Sequence, residues 1–220
     1  MRREFISFPK SGRSRIRYGL HQVGAADGIT FHHDGFEFND GARPPHDFSV
    51  EKRIARIAPE DRVLFLKRDP RDVIVSLFHQ VTGRFQDFFH YEGTLSDFIR
   101  DPYFGAGVLQ RFMEMWESVC AQRPVLVVTY EDCMADPVTV FGRIGKFYGF
   151  DLTPEQCRIA AESSTFEKMK EVEDSGEFSQ PWLRKRQGFA KVRRGKVGGY
   201  ADTLPPADVD YLNQVFKLEP

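Results

Sequence analysis

Four short runs of apolar, β-branched and aromatic residues, at 4–8, 28–33, 62–67 and 125–130, alternate with longer stretches whose apolar residues recur at helical spacing. A chain built this way has few means of burying its core. Strand followed by helix, repeated, predicts an α/β class fold with a central parallel sheet and crossovers packed on both faces, a single-domain three-layer α/β/α architecture. The predicted helices follow Ser11 and cover 71–81, 94–100, 104–122, 137–148, 153–161 and 206–216. At 220 residues, 41% of them hydrophobic and 29% charged, residues 1–220 suit one such domain better than two.

Charge narrows the choice of partners. The formal net charge is −1, which gives no global attraction for nucleic acid or an anionic membrane, so any anion must be held by local clusters. Cys120, Cys133 and Cys157 fall in no metal-ligand or C-x-x-C spacing and are expected to be free thiols, with no metal bound. The start Met1-Arg2-Arg3-Glu4 does not read as a leader, and no apolar stretch approaches the ~18 residues a membrane span needs. A cytoplasmic protein without integral membrane association is the expectation. Two segments read as loops: 39–46, rich in Gly and Pro, and 174–199, long and rich in Lys and Arg, which has the length of a functional lid.

Two strand ends carry anion-binding signatures. Phe8-Pro9-Lys10-Ser11-Gly12-Arg13-Ser14 runs from a strand into a helix, with Gly12 allowing close backbone approach, free amides at the helix start, and Lys10 and Ser14 adding a charge and a hydroxyl. Its spacing does not fit G-x-x-x-x-G-K-[ST], which disfavours an ordinary ATP or GTP loop. Lys67-Arg68-Asp69-Pro70-Arg71-Asp72 follows a second strand, with Arg68 at its carboxyl end and Ser76 two turns along the next helix. Asp69 or Asp72 is a candidate cap and Arg71 a solvated cation. A third, basic stretch, Lys191-Val192-Arg193-Arg194-Gly195-Lys196, reads in isolation as an exposed loop.

Taken in order, these stretches resemble the sulfotransferases that use 3′-phosphoadenosine 5′-phosphosulfate (PAPS), over residues 5–200. The resemblance implies a P-loop-like phosphosulfate-binding loop, with Pro9, Lys10, Ser11, Gly12, Arg13 and Ser14 around the 5′-phosphosulfate and Lys10 as the catalytic lysine. It implies that Arg68 and Ser76 hold the 3′-phosphate, and that Arg193, Arg194 and Gly195 close over it. Tyr130, at the end of the fourth run, is similar to a tyrosine bordering the adenine, and Ser164-Thr165-Phe166 with Met169 to a segment packing against the base. The implied reaction is transfer of a sulfuryl group from PAPS to a hydroxyl or amine of a small acceptor, leaving 3′-phosphoadenosine 5′-phosphate (PAP).

The resemblance also places a histidine base at the end of the second strand. His33 is the preferred candidate with Asp34 as its orienting neighbour; His46 competes, then His32, whose side chain alternates to the other face. His21, His79 and His90 read as surface or core residues. Where many members have two threonines and an adenine-stacking tryptophan, this chain has Arg13-Ser14-Arg15, so Arg15 is a candidate to lie on the base, and the three cations Arg13, Arg15 and Arg17 suit an acidic acceptor. Phe85, Phe88, Phe89 and Tyr91, closed by Trp182 and Phe189, form a candidate apolar acceptor pocket. The lysine-threonine-valine dimerisation motif of animal cytosolic members is absent, and oligomeric state is not legible. Two alternatives stay open: a non-catalytic adenine-nucleotide-binding or scaffold protein of the same fold, and a small-molecule kinase, for which Glu131 and Asp132 at a strand end could hold magnesium.

Overall fold

Strands β1 (Arg3–Ser7), β2 (Ile29–His32), β3 (Arg62–Lys67) and β4 (Val125–Thr129) form one sheet in the order β2-β1-β3-β4, every neighbour parallel. The computed structural model describes residues 1–178, 180–192 and 195–219. Helix α1 (Arg13–Gln22) joins β1 to β2, and α2 (Val50–Arg56) leads into β3. After β3 come α3 (Pro70–His79), a π-helical turn at Gln80–Arg84, α4 (Gln86–Phe89), α5 (Leu95–Arg100) and α6 (Ala106–Cys120). Beyond β4 lie α7 (Tyr130–Ala135), α8 (Pro137–Tyr148), α9 (Pro154–Ser163), α10 (Phe166–Ser175) and α11 (Pro206–Phe216).

The three layers follow from alternation along the strands. Ile6, Val63 and Phe65 face one side and pack with Ile74, Phe98, Phe112, Trp116 and Leu212. Phe5, Leu64 and Leu66 face the other and meet Ile16, Leu20, Phe141, Ile144 and Ala160. Each large side chain buried this completely contributes about 1.5–3 kcal/mol. Helix starts follow the local chemistry: Thr94 and Thr153 form capping boxes with Asp97 and Gln156, and Pro70, Pro137, Pro154 and Pro206 stand in first turns.

Four helices were not expected. α2 starts where Ser49 Oγ accepts from Lys52 N at 3.2 Å, α7 where Thr129 Oγ1 accepts from Asp132 N at 3.0 Å, and α10 where Thr165 Oγ1 accepts from Lys168 N at 3.3 Å. α4 and α7 are too short for a helical period to register, and Tyr130 consequently opens a helix instead of ending a strand. The helix expected over 71–81 ends at His79 and widens into the π-helical turn.

The connection order creates the site. From β1 the chain moves to one neighbour, β2, and later returns on the opposite side as β3, so the carboxyl ends of β1 and β3 flank a topological switch point where a crevice must open.

Candidate active site

At the end of β1 the backbone turns sharply through Phe8-Pro9-Lys10-Ser11-Gly12, with Lys10 at φ 72° and Gly12 at φ 97°. A Cβ on Gly12 would lie 2.3 Å from Cδ2 of Tyr130, so no other residue fits beneath that ring. Among the described residues no side chain caps α1, leaving the amides of its first turn directed toward the crevice.

Arg68, just past β3, crosses the switch point. Its Nη1 donates to the Lys10 carbonyl at 3.2 Å, its Nη2 to the Lys196 carbonyl at 3.2 Å and to Asp72 Oδ2 at 3.4 Å, and its guanidinium lies 4.2 Å from the centre of the Tyr130 ring. Its Nε is buried without a hydrogen-bond partner among the described residues. Asp72 also accepts from Gly198 N at 3.0 Å and Tyr200 N at 2.9 Å, and Tyr130 Oη donates to the Gly195 carbonyl at 3.2 Å. The basic loop is thus tied to both strand-end motifs.

His33 follows β2 and faces the same cleft. A carbonyl only accepts, so the 2.7 Å contact of Nδ1 with the Ser7 carbonyl places the proton on Nδ1. Nε2 then carries the lone pair and accepts from Arg13 Nη2 at 2.8 Å. Burial, with the charges of Arg13 and Lys191, pushes the ring's pKa well below the usual histidine range. Burial also pushes Arg13 down to about 10, and its Nη1 is enclosed without a partner among the described residues.

The competing histidines are engaged elsewhere. His46 lies between Phe36 and Tyr103, ring centres 4.8 and 4.4 Å away, and donates from Nε2 to the Tyr103 carbonyl at 3.0 Å. His32 accepts from Asp34 N at 3.2 Å and stands 3.4 Å from Glu4. Asp34 does not orient His33: its carboxylate accepts from Arg53 Nε at 2.8 Å and Trp116 Nε1 at 3.0 Å and meets Arg56 at 2.7 Å, while Glu37 accepts from the backbone N of His33 at 2.9 Å.

Pro9, Lys10, Gly12, Arg13, Ser14, Arg15, His33, Arg68, Ser76, Tyr130, Phe166, Met169 and Gly195 all line one cleft. Two expected residues do not. Ser11 is buried behind the loop, and the Thr165 hydroxyl is spent on capping α10. Arg193 and Arg194 lie outside the described residues. Arg15 contributes to the wall but donates to the sulfur of Met134, and Arg17 is held between the rings of Phe31 and Trp182. Arg71, expected to be solvated, pairs with Asp69 at 2.7 Å and stacks on Tyr200.

Ser164, of the segment similar to one that packs against the base, also lines the cleft, whereas sequence reading missed Asp72, Gln80, Lys191 and Lys196 in the wall. Only the clustering of Lys191 and Lys196 in the basic stretch was a signal. The apolar acceptor pocket is also not assembled: Phe85 and Phe88 stack on each other beneath Arg186, Phe89 and Tyr91 pack on Phe104, and Trp182 meets Phe178. Beside the cleft lies instead a second cavity, sharing Lys10, Ser76, Gln80 and Val192 with it and closed by His79, Thr82, Gly83, Arg84, Lys170, Phe189 and Ala190.

Comparison with known proteins agrees with this geometry. The chain is 24% identical over 191 residues to the 3-alpha-hydroxysteroid sulfotransferase of Cavia porcellus, covering 83% of this chain and 66% of that protein. It is 28% identical over 164 residues to Sulfotransferase 2B1 of Homo sapiens (72% and 44%), and 26% identical over 168 residues to Cytosolic sulfotransferase 14 of Arabidopsis thaliana (70% and 47%). The chain thus spans between less than half and just under two thirds of these relatives' lengths. Among solved structures, mouse sulfotransferase SULT7A1 complexed with PAP superposes with a TM-score of 0.70 at 16% identity (98% of this chain, 82% of that one). Retinol dehydratase in complex with androsterone and PAP gives 0.66 at 19% (99% and 80%). The family described as "Sulfotransferase domain" matches residues 53–219, more than half of the chain, and the chain belongs to that family.

Proposed function

We propose that this chain transfers a sulfuryl group from PAPS to a hydroxyl or amine of a small acceptor and releases PAP. The observation that carries this is the contact between Arg68 and the Lys10 carbonyl across the switch point, in a cleft that His33 also lines. The residues present fit an adenine nucleotide with phosphates at both ends. Arg13 and Arg68 each keep a buried N–H without a partner among the described residues, and the left-handed turn at Lys10 and Gly12 leads into uncapped helix amides. When bound, the donor supplies a sulfuryl group on a phosphate leaving group.

In this reading Pro9, Lys10, Gly12, Arg13 and Ser14 surround the phosphosulfate, and Arg68 and Ser76 hold the 3′-phosphate with Gly195 and the neighbouring Arg193 and Arg194. Tyr130, Phe166 and Met169 flank the base, with Arg15 beside them. His33 Nε2 takes the acceptor's proton as the acceptor oxygen or nitrogen bonds to sulfur. The sulfur–oxygen bond to the 5′-phosphate breaks, its electron pair stays on the phosphate, and Lys10 stabilises the charge that develops there. For this Arg13 must release Nε2, exchanging a neutral nitrogen for an anionic oxygen, which forms the stronger hydrogen bond. The hydroxysteroid enzyme among the relatives supports a small hydroxylated acceptor, and the relative named cytosolic supports a cytosolic location.

Calorimetric titration with PAP, AMP and ATP in parallel tests the donor site. PAP is expected to bind at least about tenfold more tightly than AMP, with that preference lost in Arg68→Ala. Preference for ATP returns the kinase alternative, and PAP binding without transfer of labelled sulfuryl to any acceptor tried returns the scaffold alternative.

A further inference from the structure

The second cavity, about 250 Å³, adjoins the cleft at Lys10 and Ser76 and is lined by none of the proposed adenine-flanking residues Tyr130, Phe166 and Met169, which leaves it free for an acceptor. Of the aromatic residues expected around an acceptor only Phe189 lines it, and Lys10, Arg84 and Lys170 in its wall are basic. Arg84, in the π-helical turn, is 6% exposed; its Nη1 donates to the carbonyls of Arg184 at 2.8 Å and Phe189 at 3.3 Å, and its Nε is buried without a partner among the described residues.

Lys170 enters from α10. Its nearest carboxylate, Asp174 at 3.9 Å, is held more closely by Lys185 at 2.7 Å. For Lys191, on the cleft side, desolvation of its ammonium and then the charges of Lys10, Arg84, Arg13 and Arg17 push the pKa well below the usual lysine range, so it is not a fixed charge. Glu173 is the carboxylate among them, 3.7 Å from Arg84, but its two oxygens already accept from Lys191 N at 2.5 Å and Val192 N at 3.0 Å. Lys10 is assigned to the donor, so the cations left in this cavity's wall are Arg84, whose Nε has no partner among the described residues and which faces Glu173 at 3.7 Å, and Lys170. A buried guanidinium N–H without a partner is unfavourable unless an acceptor enters to meet it, and an anionic acceptor makes the strongest such bond.

We propose that this cavity is the acceptor pocket and that it selects an acceptor carrying an oxyanion, such as a carboxylate, in addition to the hydroxyl that receives the sulfuryl group. The inference rests on the sulfuryl-transfer reading above. The oxyanion pairs with Arg84 Nε and Lys170, Phe189 and Ala190 cover a short carbon skeleton, and the hydroxyl lies over Lys10 toward His33. Arg84 and Lys170 lie outside every anion-binding stretch that the sequence shows.

The test titrates PAP-saturated protein with 4-hydroxyphenylacetate and with 4-hydroxyphenylacetamide, which differ in the charge of one terminal group. Phenyl phosphate and phenyl sulfate run beside them to distinguish the kinds of oxyanion. The carboxylate is expected to bind at least about tenfold more tightly than the amide. Lys170→Gln is expected to shrink that preference about threefold, since half of its side chain is exposed and screened. Arg84→Gln is expected to abolish it; because Arg84 also holds the loop, Lys170→Gln carries the test if Arg84→Gln does not fold.

Equal affinity for acid and amide, or binding of none of the probes to protein that binds PAP, overturns the inference and leaves the donor reading standing. Loss of PAP affinity in Lys170→Gln also overturns it, because the cavity then belongs to the donor. A wild-type protein that does not bind PAP overturns both.

Discussion

Arg13 donates from Nη2 to Nε2 of His33 at 2.8 Å, so the proposed base is held with its lone pair already occupied. The Ser7 carbonyl fixes the proton on Nδ1 from the other side, and the ring is restricted to the tautomer that can accept an acceptor's proton. The neutral imidazole is therefore the competent state.

The sign of the pH dependence follows. Because burial and the Arg13 charge lower the His33 pKa, kcat/KM is expected to stay level as pH falls from ~8 to the usual histidine pKa near 6.5, and to decline only below it as Nε2 is protonated. Removing the positive charge in Arg13→Gln is expected to move that acidic limb up toward the ordinary histidine value. A wild-type limb centred at or above ~6.5 would exclude His33 as the base.

Gly12 is expected to tolerate no side chain. An added Cβ would press on the Tyr130 ring from a backbone at φ 97°, and Tyr130 is itself packed under Arg68. Gly12→Ala is expected to cost about 1–3 kcal/mol of stability in chemical denaturation and at least about tenfold in PAP affinity. Unchanged affinity would mean that the loop does not approach the nucleotide.

What was legible in the sequence was what is local. The strand runs and the two polar turns after β1 and β3 are each set within about ten residues, and they put Lys10, Arg68 and His33 just past strand ends, where the structure has them. What was not legible depends on distant chain segments. Asp34 adjoins His33 in sequence, yet Arg53 and Arg56 from α2 and Trp116 from α6 claim its carboxylate. The aromatic run 85–91 offers a candidate pocket in sequence, yet Arg186 lies over Phe85 and Phe88, and Phe89 and Tyr91 pack on Phe104. Arg84 belongs to no motif, and it meets Lys191 of the basic stretch only because residues 184–192 fold back over the π-helical turn.

The Asp34 node gives a stability prediction. Its carboxylate is buried and is shared by two guanidinium groups and an indole N–H, so Asp34→Asn leaves the buried Arg53 without its closest counter-charge. A loss of about 3–5 kcal/mol is expected by urea denaturation, of the size seen when one partner of a buried ion pair is removed. A loss below about 1 kcal/mol would mean that solvent already screens the pair.

Glu173 holds the basic loop closed. It is 3% exposed, and its two oxygens accept from consecutive backbone amides, Lys191 N and Val192 N, with Arg84 behind them. In Glu173→Gln one of those amides faces an NH2 group instead of an acceptor, and a buried donor left unpaired costs about 1–3 kcal/mol. That free energy is local to the loop, so opening of residues 184–192 is expected to become at least about fivefold more frequent. Limited trypsin digestion reads this directly, because Arg184, Lys185 and Arg186 are cleavage sites within the loop. Cleavage is expected to be faster in the variant and slowed by PAP in both proteins, since a nucleotide touching Gly195 and Arg68 favours the closed arrangement. Equal cleavage rates without PAP would place the hold on the loop in the ion pair of Arg186 with Asp87 and in the backbone contacts of Arg84.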